Sequence, residues 1–306
     1  MNILFAGTSF NSSKILNFLH GVDDINIIGV ITKPDKPGKR GSSLIESPVS
    51  STARSADINL FKPEQLDCPD FKQNISKLDV DILVVVAYGK ILPEWMLNIP
   101  KIMPINIHYS LLPSYRGSSP IQASIINGDK YTGVTFMKMN KSLDAGEIIN
   151  KFECKIFYDD NKTTLESKLT EISIREINNV LKLIKTKDVI LLDQKSEEVS
   201  YCKKIVKSDG LINFNESSTE IFNKFKAYIE WPGLTFKYKN TLIKIHGLQI
   251  SDENSNSEAG TINKITRSGL HLNTIDKVIV ITNLQFPNKK IITSDDVFNS
   301  YKQFFS

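Results

Sequence analysis

Residues 81–87 read Asp-Ile-Leu-Val-Val-Val-Ala and close on the turn Tyr88-Gly89. Nowhere else is the chain so continuously apolar. A run this short, β-branched, without polar alternation and ended by glycine predicts a strand covered on both faces, the signature of a parallel sheet. Similar runs lie on either side of it. Asn2–Ala6 ends at Gly7, Ile25–Thr32 forms a second run, and Met103–Ile107 closes on Asn106 and His108. Between the first two, Phe10–His20 places Ile15, Leu16, Phe18 and Leu19 at helical spacing. Strands alternating with helices predict an α/β fold: a Rossmann-like, mostly parallel sheet with helices on both faces. Thr132–Met139 and Glu147–Phe157 read as two further strands, and Thr163–Leu183 as a long helix.

After Thr186 the pattern changes. Residues 187–207 are polar and charged around a short apolar patch, the character of a linker. Beyond them come short strand-like segments broken by turn residues: Leu211–Phe214, Leu234–Tyr238, Leu242–Ile250, Gly260–Ile265, Leu270–Asn273, Lys277–Thr282 and Lys290–Thr293. These predict a smaller all-β, OB-like barrel. The expected division is therefore a catalytic domain over 1–186, a linker over 187–207 and a β domain over 208–306.

Composition excludes several classes. No apolar run reaches the roughly 18 residues a spanning helix needs, and the start lacks the layout of an export signal. No membrane association is expected, and the expected compartment is the cytoplasm. The three cysteines, Cys68, Cys154 and Cys202, are far apart and suggest neither a metal site nor a disulfide framework. The first turn, Gly7-Thr8-Ser9, starts no G-x-G-x-x-G, and no P-loop occurs, so a nucleotide cofactor is not supported. Net charge is +4, and residues 201–306 hold 14 Lys+Arg against 10 Asp+Glu, so the surplus sits in the last third. That suits a part that meets a polyanion, although a solvated lysine-rich surface gives the same count.

The residues singled out for chemistry are Asn106, His108 and Asp144. An i, i+2 pair at a strand's C-terminal end lies on one face, where open α/β sheets bind ligands. Asp144 sits in the turn Leu143-Asp144-Ala145-Gly146, within reach of that end. An amide can donate to an oxyanion, an imidazole can move a proton near neutral pH, and a carboxylate can orient the imidazole or hold a relaying water. This set suits acyl transfer to an amine without a covalent nucleophile.

The residues beyond the Asn-x-His pair sharpen the reading. Ser110-Leu111-Leu112-Pro113 leads into Tyr115-Arg116-Gly117 and Pro120-Ile121, and Leu143-Asp144-Ala145-Gly146 comes later. This combination resembles the folate-dependent formyltransferase family. The resemblance implies that Asn106, His108 and Asp144 are the catalytic trio, and that 10-formyltetrahydrofolate is the co-substrate, with no metal. It implies a folate site built by the Tyr88-Gly89 turn and by Ser110, Leu111, Leu112 and Pro113.

Within the family, three features resemble the branch whose acceptor is initiator methionyl-tRNA. They are the opening Phe5-Ala6-Gly7-Thr8-Ser9-Phe10, the basic loop from Thr32 to Gly41, and the tail from Tyr201-Cys202-Lys203-Lys204-Ile205 through Trp231-Pro232-Gly233. Lys36, Lys39, Arg40, Lys204 and Lys207 are then the expected tRNA contacts, and a monomer is expected. The tail departs from the branch pattern at Lys226, Tyr228 and Glu230. A sugar-nucleotide N-formyltransferase acting on a UDP-amino sugar is the alternative.

Overall fold

The computed structural model describes residues 1–38 and 44–306. Its α/β part is a seven-stranded sheet. The strands are β1 (Asn2–Gly7), β2 (Asn26–Ile31), β3 (Leu60–Phe61), β4 (Ile82–Val86), β5 (Met103–His108), β7 (Tyr131–Lys138) and β8 (Ile148–Lys155), in the spatial order β3-β2-β1-β4-β5-β7-β8. The pairs from β3 through β5 are parallel, whereas β7 and β8 run antiparallel to their neighbours. The chain leaves β1 toward β2 on one side and returns to β4 on the other, which makes the reversal at which such sheets open a crevice. Every residue of β4 is buried, as the unbroken apolar run predicted.

Helices fill the connections. They are α1 (Phe10–His20), α2 (Pro48–Ser55), α3 (Pro69–Ser76), α4 (Glu94–Leu97), α5 (Pro120–Ile126) and α6 (Lys162–Thr186). Ser9 caps α1 by accepting from the Ser12 amide. Ser12 in turn donates to the Val86 carbonyl at 2.7 Å, and Thr8 donates to that of Tyr88 at 3.1 Å. The first turn thus ties the end of β1 to the end of β4. Helices α2 and α3 carry few apolar residues, and their only sequence marks are a proline at the first turn of each and the Ser47 cap of α2.

The described chain divides into two compact units. The first holds Met1–Pro120, Tyr131–Lys155 and Glu166–Cys202; the second holds Ile121–Lys130, Ile156–Leu165 and Lys203–Ser306. In the second, β10 (Thr235–Tyr238), β11 (Thr241–Asn254), β14 (Lys277–Gln285), β13 (Gly269–Asn273) and β12 (Ile262–Thr266) pair antiparallel in that order, and β15 (Ile291–Thr293) also pairs with β14. The end strands β10 and β12 are not paired with each other, so the sheet is not closed by hydrogen bonds. Helix α7 (Ser218–Ala227) opens with a capping box between Ser217 and Glu220, and α8 (Ser294–Ser300) with one between Thr293 and Asp296. Leu211–Phe214, expected as a strand, makes only one isolated bridge, from Leu211 to Thr235.

The stretch expected as a linker is partly built into the first unit. Leu192 exchanges two main-chain hydrogen bonds with Ile148, and β9 (Tyr201–Cys202) pairs in parallel with β6 (Arg116–Gly117). A polar strap with so short an apolar patch gives no strand periodicity to read. No described helix is long and apolar enough to cross a membrane.

Candidate active site

Strand β5 brings Asn106 and His108 to its C-terminal end, paired across from Met137 and Thr135 of β7. Asp144 lies in the turn between β7 and β8. Its backbone is left-handed, with φ of 48°, a conformation that aspartate tolerates better than most residues. Gly146 fixes the turn's close approach: a Cβ there would stand 1.8 Å from the Lys138 carbonyl oxygen. The three side chains meet. Asn106 Nδ2 donates to Asp144 Oδ1 at 3.4 Å, and His108 Nδ1 stands 3.8 Å from the same oxygen. The His108 and Asp144 side chains are 7% and 13% exposed, so their interactions act largely away from bulk water.

The imidazole's tautomer follows from its other contact. His108 Nε2 lies 3.0 Å from the Tyr115 carbonyl oxygen, which can only accept. Nε2 therefore carries the hydrogen, and Nδ1 is the nitrogen turned toward Asp144 and free to exchange a proton. Tyr115 is itself held in the left-handed region, with φ of 60°, and its amide donates to Ser200 Oγ at 2.9 Å.

Asp144 uses its two oxygens differently. Oδ2 accepts the main-chain amide of Gly117 at 2.8 Å, while Oδ1 faces Asn106 and His108. Its carbonyl and that of Gly146 accept from Gln194 Nε2 at 2.9 and 2.8 Å. Gln194 Oε1 accepts from Arg116 Nε and Nη2 at 2.9 and 2.7 Å. Cys202 packs beneath the same loop, its thiol 3.5 Å from the carbonyl oxygens of Tyr115 and Arg116. Burial pushes that thiol's pKa up, and the Asp144 charge adds to the effect, which disfavours the thiolate.

The segments expected to meet folate take distinct positions. The Tyr88 side chain is buried in the core with Phe71, Leu92 and Met96, so only the main chain of its turn is open to a ligand. That turn is left-handed at Ala87 and Gly89, both exposed, and lies one strand over from Asn106, which pairs with Val85. Among the described residues, the amides of Gly89, Lys90, Ile91 and Leu92 donate to no other group. Ser110, Leu112 and Pro113 are buried and Leu111 is half-buried. Ser110 Oγ donates to the Ser114 carbonyl at 2.6 Å, and the Leu112 amide to Thr135 Oγ1 at 3.0 Å. These contacts shape the loop that carries Tyr115.

Of the lysines expected to touch nucleic acid, Lys36, Lys204 and Lys207 are exposed. Lys36 exchanges main-chain hydrogen bonds with Ile45. Lys39 and Arg40 lie outside the described residues. Sequence reasoning missed Gln194, Ser200 and Thr135. Each is an isolated polar residue whose partners lie far along the chain, and no spacing rule marks such a residue.

Comparison with known proteins shows the family to which the chain belongs. A family model described as "Formyl transferase" matches residues 1–181, and one described as "Formyl transferase, C-terminal domain" matches residues 204–302. The chain is 40% identical over 304 residues to the methionyl-tRNA formyltransferase of Sulfurihydrogenibium sp. (strain YO3AOP1), covering 99% of this chain and 97% of that one. Among solved structures, the N-formyltransferase from Helicobacter canadensis, in complex with folinic acid and dTDP-3-aminofucose, superposes with a TM-score of 0.69 at 19% identity, over 91% of this chain and 98% of that one. The methionyl-tRNA formyltransferase from Clostridium thermocellum superposes with a TM-score of 0.60 at 15% identity, over 82% of this chain and 94% of that one. At such identities the superpositions establish the fold alone.

Proposed function

The chain belongs to the formyl transferase family, and on that premise we propose that it moves the formyl group of 10-formyltetrahydrofolate to the free amine of initiator methionyl-tRNA. The observation that carries this reading is the convergence of Asn106 Nδ2 and His108 Nδ1 on Asp144 Oδ1 at the end of β5. Full-length identity of 40% to a methionyl-tRNA formyltransferase supports the acceptor.

In the transfer, the amine nitrogen bonds to the formyl carbon, and that carbon's bond to the folate nitrogen breaks. Asn106 has two amide hydrogens and gives one to Asp144, so the other can meet the oxygen on which negative charge gathers. One such donor contributes roughly 3–4 kcal/mol to the transition state. His108 takes the proton shed by the amine at Nδ1 and returns it to the departing folate nitrogen, so the transfer is proton-neutral overall. Asp144 balances the imidazolium while it holds that proton. Tyr115 keeps the ring from turning.

The residues present fit the co-substrate. A flat pterin needs an apolar slot with main-chain donors, and the unengaged amides after Gly89, beside the apolar end of β4, supply them. We assign catalysis to residues 1–186 and tRNA contact to 208–306 together with Lys36, Lys39, Arg40, Lys204 and Lys207. Each chain carries the whole trio, so a monomer suffices, and charged tRNA sets the reaction in the cytoplasm. The N-formyltransferase in complex with dTDP-3-aminofucose shares the fold, but similarity at 19% identity carries no substrate. Offering charged initiator tRNA and UDP-amino sugars side by side with 10-formyltetrahydrofolate tests the reading. Formylmethionyl-tRNA is the expected product, and formylated sugar without it overturns the assignment.

A further inference from the structure

We propose that Gln194 is a positioning residue of the catalytic centre, the clamp that sets Asp144 for its work. The proposal rests on the reading of Asn106, His108 and Asp144 as the catalytic trio. Gln194 lies in a stretch whose composition marks it as a connector, yet its side chain is wholly engaged. Nε2 donates to the Asp144 and Gly146 carbonyls at 2.9 and 2.8 Å, and Oε1 accepts twice from Arg116 at 2.9 and 2.7 Å. An amide offers two donor hydrogens and two acceptor lone pairs, and all four are taken.

The consequence is a grip on Asp144 from two sides. Gln194 holds its main chain, which is left-handed at φ 48°. Gly117, next to the Arg116 that Gln194 holds, donates its amide to the Asp144 carboxylate at 2.8 Å. One side chain therefore joins the Asp144 turn to the Tyr-Arg-Gly loop, and that loop's Tyr115 carbonyl orients His108. Gln194 is fixed in turn by the Leu192–Ile148 bridge before it and the β9–β6 pairing after it. Arg116 is buried and makes no ion pair among the described residues, so its charge falls on the Gln194 carbonyl and strengthens the amide's donation at its other end. The chemistry admits few substitutes. Glutamate would turn an acceptor oxygen toward two carbonyl oxygens, and asparagine is one methylene too short to reach both loops.

The experiment compares Gln194→Glu and Gln194→Ala with the wild-type enzyme for kcat, for KM toward 10-formyltetrahydrofolate and charged tRNA, and for thermal midpoint. It also joins Gln194→Glu to Asp144→Ala and follows single turnovers at high enzyme concentration. A misplacement of the Asp144 carboxylate is expected to lower kcat by about 10- to 100-fold and to leave both KM values within about threefold. In the Asp144→Ala background Gln194→Glu should cost much less, about threefold or under, since the group it chiefly positions is gone. Near-wild-type kcat in folded Gln194→Glu, an equal loss with and without Asp144, or a fall in midpoint with kcat unchanged each overturn the proposal. Should Gln194→Ala and Gln194→Glu both fail to fold, Arg116→Lys loosens the same amide from its far end. It should lower kcat about threefold to tenfold, and an unchanged kcat there overturns the clamp. If Asp144→Ala alone keeps its turnover, the reading of the trio fails instead.

Discussion

The main-chain amide of Gly117 donates to Oδ2 of Asp144 at 2.8 Å and leaves Oδ1 alone to face Asn106 and His108. The two oxygens of one carboxylate thus have separate tasks, anchoring and chemistry. Asp144→Asn separates them experimentally. The amide oxygen can still accept from Gly117, but an NH2 then opposes the Asn106 NH2 and cannot balance an imidazolium. We expect kcat for formyl transfer to fall by roughly 10²- to 10⁴-fold, with unfolding free energy lowered by about 1–3 kcal/mol. A variant within tenfold of wild type in a steady-state assay would remove Asp144 from the chemistry.

Gly117 also has to be glycine. Its φ of 124° is closed to side chains, and a Cβ would lie 2.4 Å from the Cys202 carbonyl oxygen. Gly117→Ala must therefore part β6 from β9 and withdraw the amide from Asp144. Strain of about 1–3 kcal/mol is expected, together with a fall in kcat larger than any change in KM for tRNA. Urea unfolding and initial rates on the same preparation check both, and a variant with wild-type stability would show that the β6–β9 pairing gives way without cost.

Tyr88 carries a hydroxyl buried in the core with no partner among the described residues. Burial pushes its pKa up to about 12, and burial does the same for Tyr109. For a tyrosine near 10 in the unfolded chain, the folded state then holds a proton that the unfolded state releases between pH 10 and 12. Stability is fully present below about pH 10 and falls by roughly 1.4 kcal/mol per pH unit for each of the two as pH rises through that window. Tyr88→Phe removes one of these contributions and an unpaired hydroxyl. It should raise stability at pH 7 by about 1–2 kcal/mol and flatten the alkaline decline. Chemical denaturation at pH 7, 10 and 11 measures both effects, and a destabilised Tyr88→Phe would mean that the hydroxyl has a partner after all.

The α/β half was legible because its signals are local. The run Ile82–Val86, the helical spacing of Ile15, Leu16 and Leu19, and the Asn106–His108 pair are each fixed by neighbours in sequence. For Asp144 the sequence marks only a turn between two strands that can reach the same end of the sheet, and the resemblance to the family supplied its place beside Asn106 and His108. What stayed hidden was the support. Gln194 reaches back 50 positions to Asp144 and 78 to Arg116, and Ser200 reaches 85 to Tyr115. Contacts at such separations have no period, and the strap that carries them is too polar to read as strand. At the Tyr88 turn the resemblance to the family pointed to main-chain contacts, and the burial of the Tyr88 side chain in the core leaves that main chain as the exposed part.

Lys204 and Lys207 are exposed at the start of the last segment of the second unit, Lys203–Ser306, in the third of the chain that holds the whole charge surplus. If they meet phosphates, each releases a condensed counterion when tRNA binds, and the logarithm of affinity falls linearly with the logarithm of salt concentration. Each contact adds about 0.7–0.9 to that slope. The double variant Lys204→Ala, Lys207→Ala should therefore bind tRNA more weakly at low salt and show a slope shallower by roughly 1.5, with no change in the kcat reached at saturating tRNA. Filter binding across 50–300 mM KCl reads the slope, and saturation kinetics read the rate. A bland solvated surface predicts a different result, namely the same slope in the variant and the wild type. The slope therefore decides between contact and bystander where affinity at a single salt concentration cannot, because any loss of positive charge weakens binding to a polyanion somewhat at a distance.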